Sequence, residues 1–171
     1  MKMKKLAVLA AIALASLNLN PSETQAKIAN GAVQFNNHHY IVVNANSATW
    51  WDANEFCKTK GGHLVTITST SEQNFVKKLI RQSGSKNNYW IGGYKDSSNT
   101  WRWVTGENFI FTSWSSGEPN NFQNQENCLA MYGDVNSQFG DWNDMRGDGF
   151  SREGDTFFGA NNFGFICEWD Y

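Results

Sequence analysis

Three stretches, Glu118-Pro119-Asn120, Glu126-Asn127-Cys128 and Trp142-Asn143-Asp144, decide how this 171-residue sequence is interpreted. They are rich in acidic and amide side chains, whose oxygen atoms are the ligands that a hard cation such as calcium prefers. The candidate metal ligands are Glu118, Asn120, Glu126, Asn143 and Asp144. Because this set contains neither imidazole nor thiolate, zinc and the softer metals are poor candidates for it. The competing interpretation is a solvated polar loop, which any one stretch alone would favour.

Taken in this order, the three stretches resemble the sugar-binding site of the C-type lectin domain in its mannose-type form. The resemblance extends over about residues 33 to 171. The further matching motifs are Trp50-x-x-Ala53-x-x-Phe56-Cys57, Gly61-Gly62-His63-Leu64, Trp90-Ile91-Gly92, Trp103-Val104-Thr105-Gly106-Glu107 and Phe165-Ile166-Cys167-Glu168. The resemblance implies the α+β C-type lectin fold, in which two helices pack on short antiparallel strands and a long loop region binds calcium.

The resemblance also assigns roles to the site residues. It implies one Ca2+ ion held by the five side chains named above and by the backbone carbonyl of Asp144. Two neighbouring sugar hydroxyls would bind the ion, donate to Glu118 or Glu126 and accept from Asn120 or Asn143. The order Glu then Asn implies glycans that contain mannose, glucose, N-acetylglucosamine or fucose, whereas the family's galactose-type members have Gln-Pro-Asp here. Pro119 is expected to fix a turn that directs the side chains of Glu118 and Asn120 to one point, and a cis Glu–Pro peptide bond is one form of such a turn.

The first residues have the pattern of a secretory signal peptide. Three lysines within residues 1–5 precede an apolar run at 6–17, and Thr24-Gln25-Ala26 provides small residues for cleavage. We therefore predict a signal peptide at residues 1–26, a single C-type lectin domain at 27–171, and a secreted protein, periplasmic or extracellular, with no membrane span after cleavage. The alternative is a retained N-terminal anchor. A short leader that begins with lysines is typical of bacteria.

The mature chain is acidic and rich in tryptophan. Removing residues 1–26 leaves 11 Lys and Arg against 15 Asp and Glu, a net charge of −4. With no basic cluster, nucleic acid is not expected as a partner. The eight tryptophans could form sugar platforms, but aromatic core packing explains most of them. Trp142 is predicted to pack beneath the site rather than to stack on a sugar.

The three cysteines, Cys57, Cys128 and Cys167, all lie in the exported part, where disulfides can form. An odd number leaves at least one thiol free or paired between chains. The resemblance implies a Cys57–Cys167 disulfide. The family usually provides Cys128 with a partner shortly after the Trp-Asn-Asp motif, but residues 129–166 contain no cysteine. We therefore expect Cys128 to be unpaired and buried behind the calcium loop.

Sequence periodicity predicts two helices followed by strands. The first helix starts at Trp50 with Thr49 as its N-cap and ends at Gly61-Gly62. The second has Thr70 as its N-cap, Gln73 completing a capping box, and Gly84 at its end. The predicted strands are 33–35, 40–43, 64–67, 89–94, 101–104, 128–132, 140–142 and 164–169.

Three functions compete. The first is a calcium-dependent lectin, the second is a module that keeps the fold but binds a protein, and the third is a glycosidase. An acid–base pair would be Glu118 with Glu126, or Asp141 with Asp144. Metal-bound carboxylates are poor general acids, so an enzyme is not expected. His38, His39 and His63 are expected to be ordinary residues, the adhesion-like Arg146-Gly147-Asp148 is attributed to chance, and a homo-oligomer is left open.

Overall fold

The computed structural model describes residues 31–45, 48–133, 137–149 and 163–170. The predicted signal peptide, residues 1–26, lies outside these ranges. Within them the chain forms two α-helices, eight β-strands and a short 3-10 helix. The helices are α1 (Trp50–Thr59) and α2 (Thr70–Ser83), the strands are β1 (Val33–Phe35), β2 (His38–Val43), β3 (His63–Leu64), β4 (Asn88–Lys95), β5 (Trp101–Trp103), β6 (Cys128–Tyr132), β7 (Trp142–Met145) and β8 (Phe163–Asp170), and the 3-10 helix is Phe122–Asn124.

These strands form one sheet in the order β1-β2-β8-β4-β6-β7, with β3 paired to β8 and β5 paired to β4. The pairs are antiparallel except for β4 with β8, which is parallel. Helix α1 contacts β3, β4 and β8, and helix α2 contacts β2. The predicted α+β class is therefore confirmed. Neither helix of the described ranges is long and apolar enough to cross a membrane.

Both helices begin at side-chain caps. The Thr49 hydroxyl accepts a hydrogen bond from the Asp52 backbone N–H, and the Asp52 carboxylate accepts one from the Thr49 backbone N–H, which completes a capping box. The predicted cap of α2 is wrong by one residue. Ser69 has the extended backbone of an N-cap and its hydroxyl accepts from the Glu72 N–H, while Thr70 is already helical.

Two predicted strands are displaced from the observed ones, whereas the others agree to within two residues at either end. The strand predicted at 64–67 is only His63–Leu64, because the Thr66 backbone N–H donates to the Glu168 side chain instead of extending the β3–β8 ladder. The strand predicted at 140–142 is Trp142–Met145. Gly140 has a φ of +80° in the preceding turn, so the ladder starts later.

Buried side chains form two clusters. One packs α2 against the sheet through Val76, Leu79 and Ile80 and also contains Trp142. The other packs α1 through Ala53 and contains Cys57 and Cys167, whose Sγ atoms form a disulfide that ties α1 to β8. The buried tryptophans are Trp50, Trp90, Trp103, Trp142 and Trp169. Core packing thus accounts for most of the tryptophans, as predicted.

Candidate functional site

The Glu118-Pro119-Asn120 turn is held by hydrogen bonds within itself. Its Glu–Pro peptide bond is cis. The Asn120 Nδ2 donates to Glu118 Oε1 over 2.9 Å, and the Asn120 backbone N–H donates to Glu118 Oε2 over 3.0 Å. The Glu118 backbone N–H is fixed to the Ser115 carbonyl at 3.0 Å. These bonds place a carboxylate and an amide side by side at the start of the loop.

Asp144 joins this turn to the end of the sheet. It lies on β7, opposite Leu129 of β6, and its side chain is fully buried. Its Oδ1 accepts from the Asn120 backbone N–H at 2.9 Å, and its Oδ2 accepts from the Asn121 backbone N–H at 3.0 Å. The strand therefore presents this carboxylate directly to the loop.

Glu126 closes the loop from the other side. Its Oε2 accepts from the Phe122 backbone N–H at 2.8 Å, and its own N–H donates to the Asn121 side-chain oxygen at 3.2 Å. Between the two glutamates, Asn121, Gln123 and Asn124 adopt positive φ angles of 46°, 55° and 57°. Asparagine tolerates this left-handed region better than most residues, which explains why an Asn-rich segment can turn so tightly.

Burial and neighbouring charge perturb the two glutamates of the loop. Burial, followed by the charge of Asp144, raises the pKa of Glu118. Burial raises the pKa of Glu126 to about 7; the Phe122 N–H and Lys95 lower it, while Asp144 and Glu118 raise it further. The loop therefore concentrates negative charge in a partly desolvated space, which is an arrangement that favours binding of a cation.

Asn143 and Tyr132 complete the surroundings. The Asn143 Oδ1 atom is buried and has no hydrogen-bond partner, which is rare for a polar atom and leaves it able to act as a ligand. Burial raises the pKa of Tyr132 to about 12, with Glu118 and Glu126 contributing, and a hydrogen bond with Asn143 lowers it. Tyr132 is thus close enough to feel both glutamates, although the sequence motifs do not include it.

A cation of the protein itself also lies at this site. The Lys95 Nζ atom is 3.2 Å from Asp144 Oδ2 and donates to the Glu126 backbone carbonyl at 3.0 Å. Lys95 ends β4, and its only sequence signal is a charged residue at the end of an apolar strand. One ammonium against three carboxylates leaves a net negative charge for a bound ion.

These five predicted ligands come from one loop and the adjoining strand β7. Their donors are carboxylate and amide oxygens, and one of them, Asn143 Oδ1, is a buried orphan. This donor set fits calcium, which takes about six to eight oxygen ligands.

Cys128 lies in a closed environment, as predicted. Cys128 is a free, buried thiol, and burial, with the charge of Asp148, raises its pKa to about 12. A thiol with a raised pKa is unreactive at neutral pH.

The adhesion-like tripeptide Arg146-Gly147-Asp148 contains an internal ion pair. Arg146 Nη2 donates to Asp148 Oδ2 over 2.7 Å, and Gly147 between them is buried. The two charged side chains of the tripeptide are thus paired with each other.

The comparisons with known proteins identify the family. A family profile described as "Lectin C-type domain" matches residues 46–149, which is more than half of the chain. The chain is 41% identical over 85 residues to C-type lectin lectoxin-Lio1 of Erythrolamprus poecilogyrus, covering 48% of this chain and 52% of that protein. It is 36% identical over 104 residues to Lithostathine-2 of Mus musculus, covering 59% of each. The match thus spans little more than half the length of these relatives.

Solved structures agree with the fold. The C-type carbohydrate-recognition domain of cow CD23, crystallised in the presence of a GlcNAc2Man3 oligosaccharide, is 26% identical with a TM-score of 0.65, covering 83% of this chain and 95% of that chain. The Ca2+-independent C-type lectin SPL-2 from Saxidomus purpuratus is 27% identical with a TM-score of 0.66, covering 82% and 92%. C-type lectin domains are non-enzymatic, so the glycosidase alternative is set aside. With its fold, its motifs and these matches in agreement, the chain belongs to the C-type lectin domain family.

Proposed function

We propose that this protein is a calcium-dependent lectin that binds mannose-type sugars through vicinal hydroxyls. The observation that supports this function best is the gathering of Glu118, Glu126 and Asp144 around the Asn120 turn, with an unpartnered Asn143 oxygen beside them. A polar loop with no ligand would not be expected to bury two acids beside a third, half-buried one, because their mutual repulsion costs stability.

The ligand chemistry follows from the side chains. Glu118, Asn120, Glu126, Asn143 and Asp144 would hold the ion, and bound calcium would supply open positions for two sugar hydroxyls. Carboxylate oxygens of the two glutamates accept hydrogen bonds from those hydroxyls, and the amide groups of Asn120 and Asn143 donate to them. Trp142 belongs to the core and is not available to stack on a sugar. Its indole N–H donates to Gln73 Oε1 at 3.0 Å, and its ring is fully buried.

The first experiment is a calorimetric titration with calcium, followed by mannose. Wild-type protein should bind calcium, then mannose, and should lose both in EDTA. Asp144→Ala should abolish both, because it removes a ligand and the contacts of Asn120 and Asn121. Glu55→Ala, an exposed acid on α1, is the matched control and should bind both normally. Mannose binding that survives in Asp144→Ala would refute the assignment of the site.

The second experiment tests sugar specificity. The double change Glu118→Gln with Asn120→Asp keeps the net charge but exchanges donors and acceptors around the sugar. It should leave calcium binding intact and shift the preference from mannose towards galactose by roughly tenfold to a hundredfold, equivalent to about 1–3 kcal/mol for unpaired polar groups. Competitive elution with the two free sugars measures the ranking. A ranking that does not move would show that this turn is not what selects the sugar.

A second candidate is sugar binding without calcium. Lys95 already places a positive charge 3.2 Å from Asp144, and the similar SPL-2 structure is of a Ca2+-independent lectin. In this case mannose or N-acetylglucosamine would bind equally well in EDTA. The Lys95→Ala variant would then lose sugar binding, whereas a calcium-dependent site would keep it.

We also propose that residues 1–26 are removed as a signal peptide, so that the domain acts outside the cytoplasm. The support is the lysine-rich start, the apolar run and the small residues at 24–26. The relatives named above are animal proteins and give no support to a bacterial source. N-terminal sequencing of the exported protein should find Lys27 as its first residue, and retention of residues 1–26 would contradict the proposal.

A further inference from the structure

A second group of potential ligands lies on the other side of the topology, where β8 runs between β2 and β3. The pairing register sets His38 opposite Asp170, and both Tyr40 and His63 opposite Glu168. Glu168 and Asp170 are two residues apart on β8, so their side chains lie on the same face of the sheet. The three strands therefore gather two imidazoles and two carboxylates on one face. None of these residues belongs to the candidate calcium site.

The shortest distances centre on His38. Its Nδ1 atom is 2.7 Å from Glu168 Oε1 and 2.9 Å from Asp170 Oδ1. One ligand atom from each of these three residues lies within 4.8 Å of the other two. The His38 Nδ1 atom is buried, and its contacts with the two carboxylates are ion pairs whose geometry is not that of a hydrogen bond. The three side chains thus form a compact cluster in which an imidazole nitrogen faces two carboxylate oxygens, and a divalent cation can take the place of the imidazole proton between them.

The outer contacts orient these groups as they do in metal sites. Glu168 is 1% exposed, and its second oxygen, Oε2, accepts from the Thr66 backbone N–H at 2.8 Å, which leaves Oε1 directed at His38. His63 holds Asp170, with Nε2 at 3.2 Å from Asp170 Oδ1, and its Nδ1 lies 2.9 Å from the Leu64 carbonyl. Ligand carboxylates fixed in this way by backbone and imidazole partners are a general feature of metal centres.

We propose that His38, Glu168 and Asp170 bind a divalent metal ion, specifically zinc. His63 is then the residue that positions Asp170. A mixed set of imidazole and carboxylate ligands suits zinc, whereas calcium prefers oxygen ligands alone. Two carboxylates balance the charge of the ion. Neighbouring ligands of a tetrahedral zinc ion are about 3.3 Å apart, so the observed spacings of 2.7 and 2.9 Å need to widen by only a few tenths of an ångström.

The site is open on one side. The side chains of His38 and Asp170 are 39% and 58% exposed, whereas that of Glu168 is 2% exposed. An ion would therefore have a buried ligand on its protein side and water in the remaining position. Because the ligands come from β2 and β8, a bound ion would also cross-link these two strands and stabilise the fold by mass action.

The test uses the full mature chain, stripped of metal and free of calcium, at about pH 7.5, where imidazole is mostly neutral. Calorimetry with zinc chloride should show one bound equivalent, and zinc should raise the melting temperature. Cobalt should give the visible absorption of a four-coordinate ion. His38→Ala should weaken zinc binding at least tenfold, and His63→Ala should weaken it less, because it removes only an outer partner.

The chain offers a matched control. His39 is adjacent to His38 but points to the opposite face of the sheet, so His39→Ala should bind zinc like the wild type. Asp144→Ala should also retain zinc, since it changes only the candidate calcium site. The proposal is overturned if wild-type protein binds no zinc at up to about 1 mM, or if His39→Ala loses as much affinity as His38→Ala.

Discussion

At the scale of single residues, Lys95 is the side chain that we expect to oppose calcium at the proposed site. Its ammonium group lies 3.2 Å from an Asp144 oxygen and is also 5.0 Å from the centre of the Trp101 ring, so packing holds it in place. A positive charge at this distance stabilises the metal-free carboxylates. For the same reason it opposes a second positive charge among them.

Replacing Lys95 with Met should therefore strengthen calcium binding. Two unit charges 4 Å apart interact by about 4 kcal/mol at an effective dielectric constant of 20. Solvent and relaxation reduce this value, and we expect a gain of roughly tenfold in affinity, or about 1.4 kcal/mol. Calorimetric calcium titration measures it. Arg102→Met is the control, because Arg102 pairs with Asp96 at 3.0 Å, away from the proposed ligands. A Lys95→Met protein with wild-type or weaker calcium affinity would contradict this role.

Glu126 should make calcium binding depend on pH near neutrality. Its pKa of about 7 in the metal-free protein means that a proton must leave before the carboxylate can bind the ion. Calcium affinity should fall as the pH is lowered from about 8 to about 6, approaching tenfold per pH unit below the pKa. Glu126→Gln should bind calcium more weakly but with a flatter pH profile. Affinity that is constant over this range in the wild type would contradict the raised pKa.

At the scale of elements, the start of α2 provides a test of local sequence rules. The hydroxyl of Ser69 caps the Glu72 N–H, and Thr70 follows as the first helical residue. Ser69→Ala should cost about 1 kcal/mol of the free energy of unfolding, the typical loss for an N-cap. Thr70→Ala should cost much less, because alanine is favoured inside a helix. Denaturant unfolding of the two variants measures both losses, and a larger loss of unfolding free energy for Thr70→Ala would contradict the cap at Ser69.

The elements also show where sequence reasoning succeeds. The strand at Cys128–Tyr132 has the predicted bounds and the first helix starts at Trp50 as predicted, because a short apolar run and a helix cap are local signals. Strand β7 was predicted too early, because where its ladder begins is set by the Gly140 turn and by pairing with β6. Pairing is a tertiary property that a local pattern does not record.

The candidate site likewise contains residues that the sequence predicted and residues that it did not. Its five predicted ligands are readable as motifs, because each lies in a short stretch of acids and amides. Lys95 and Tyr132 were not predicted, because a register irregularity between Trp90 and Tyr94 in the β4–β6 pairing decides what the end of β4 faces. The surroundings of His38 were not predicted either, because its acidic neighbours come from a strand more than a hundred residues away in sequence.

At the scale of the whole molecule, β8 links the sheet together. It pairs with β2, β3 and β4, and its Cys167 is bonded to Cys57 of α1. The neighbouring residue Glu168 is almost fully buried within this junction. Burial raises its pKa to about 8, the Thr66 N–H and His63 lower it, and Glu72 and Asp170 raise it. The junction therefore holds a carboxyl group that ionises far above its ordinary range.

This raised pKa should make the fold less stable as the pH rises. Because the folded state binds the Glu168 proton more tightly than the unfolded chain does, its contribution is fully present below the unfolded pKa, near 4.3, and is lost as the pH rises through about 8. Glu168→Gln keeps an acceptor for the Thr66 N–H but cannot ionise, so its melting temperature should change less with pH. His38, His63, Glu72 and Asp170 also face this group, and they remain unchanged in both proteins.

The test is to measure the melting temperatures of wild type and Glu168→Gln in EDTA from about pH 5 to about pH 8.5. The difference between the two melting temperatures at each pH reports the contribution of Glu168. Wild type should lose several degrees relative to Glu168→Gln over this range, because only wild type must ionise a buried carboxyl group. EDTA removes any ion that would hold the carboxylate deprotonated and reverse the trend. Melting temperatures that run parallel across the whole range would show that Glu168 is already ionised in the folded protein, and that the Thr66 N–H and the histidines outweigh its burial.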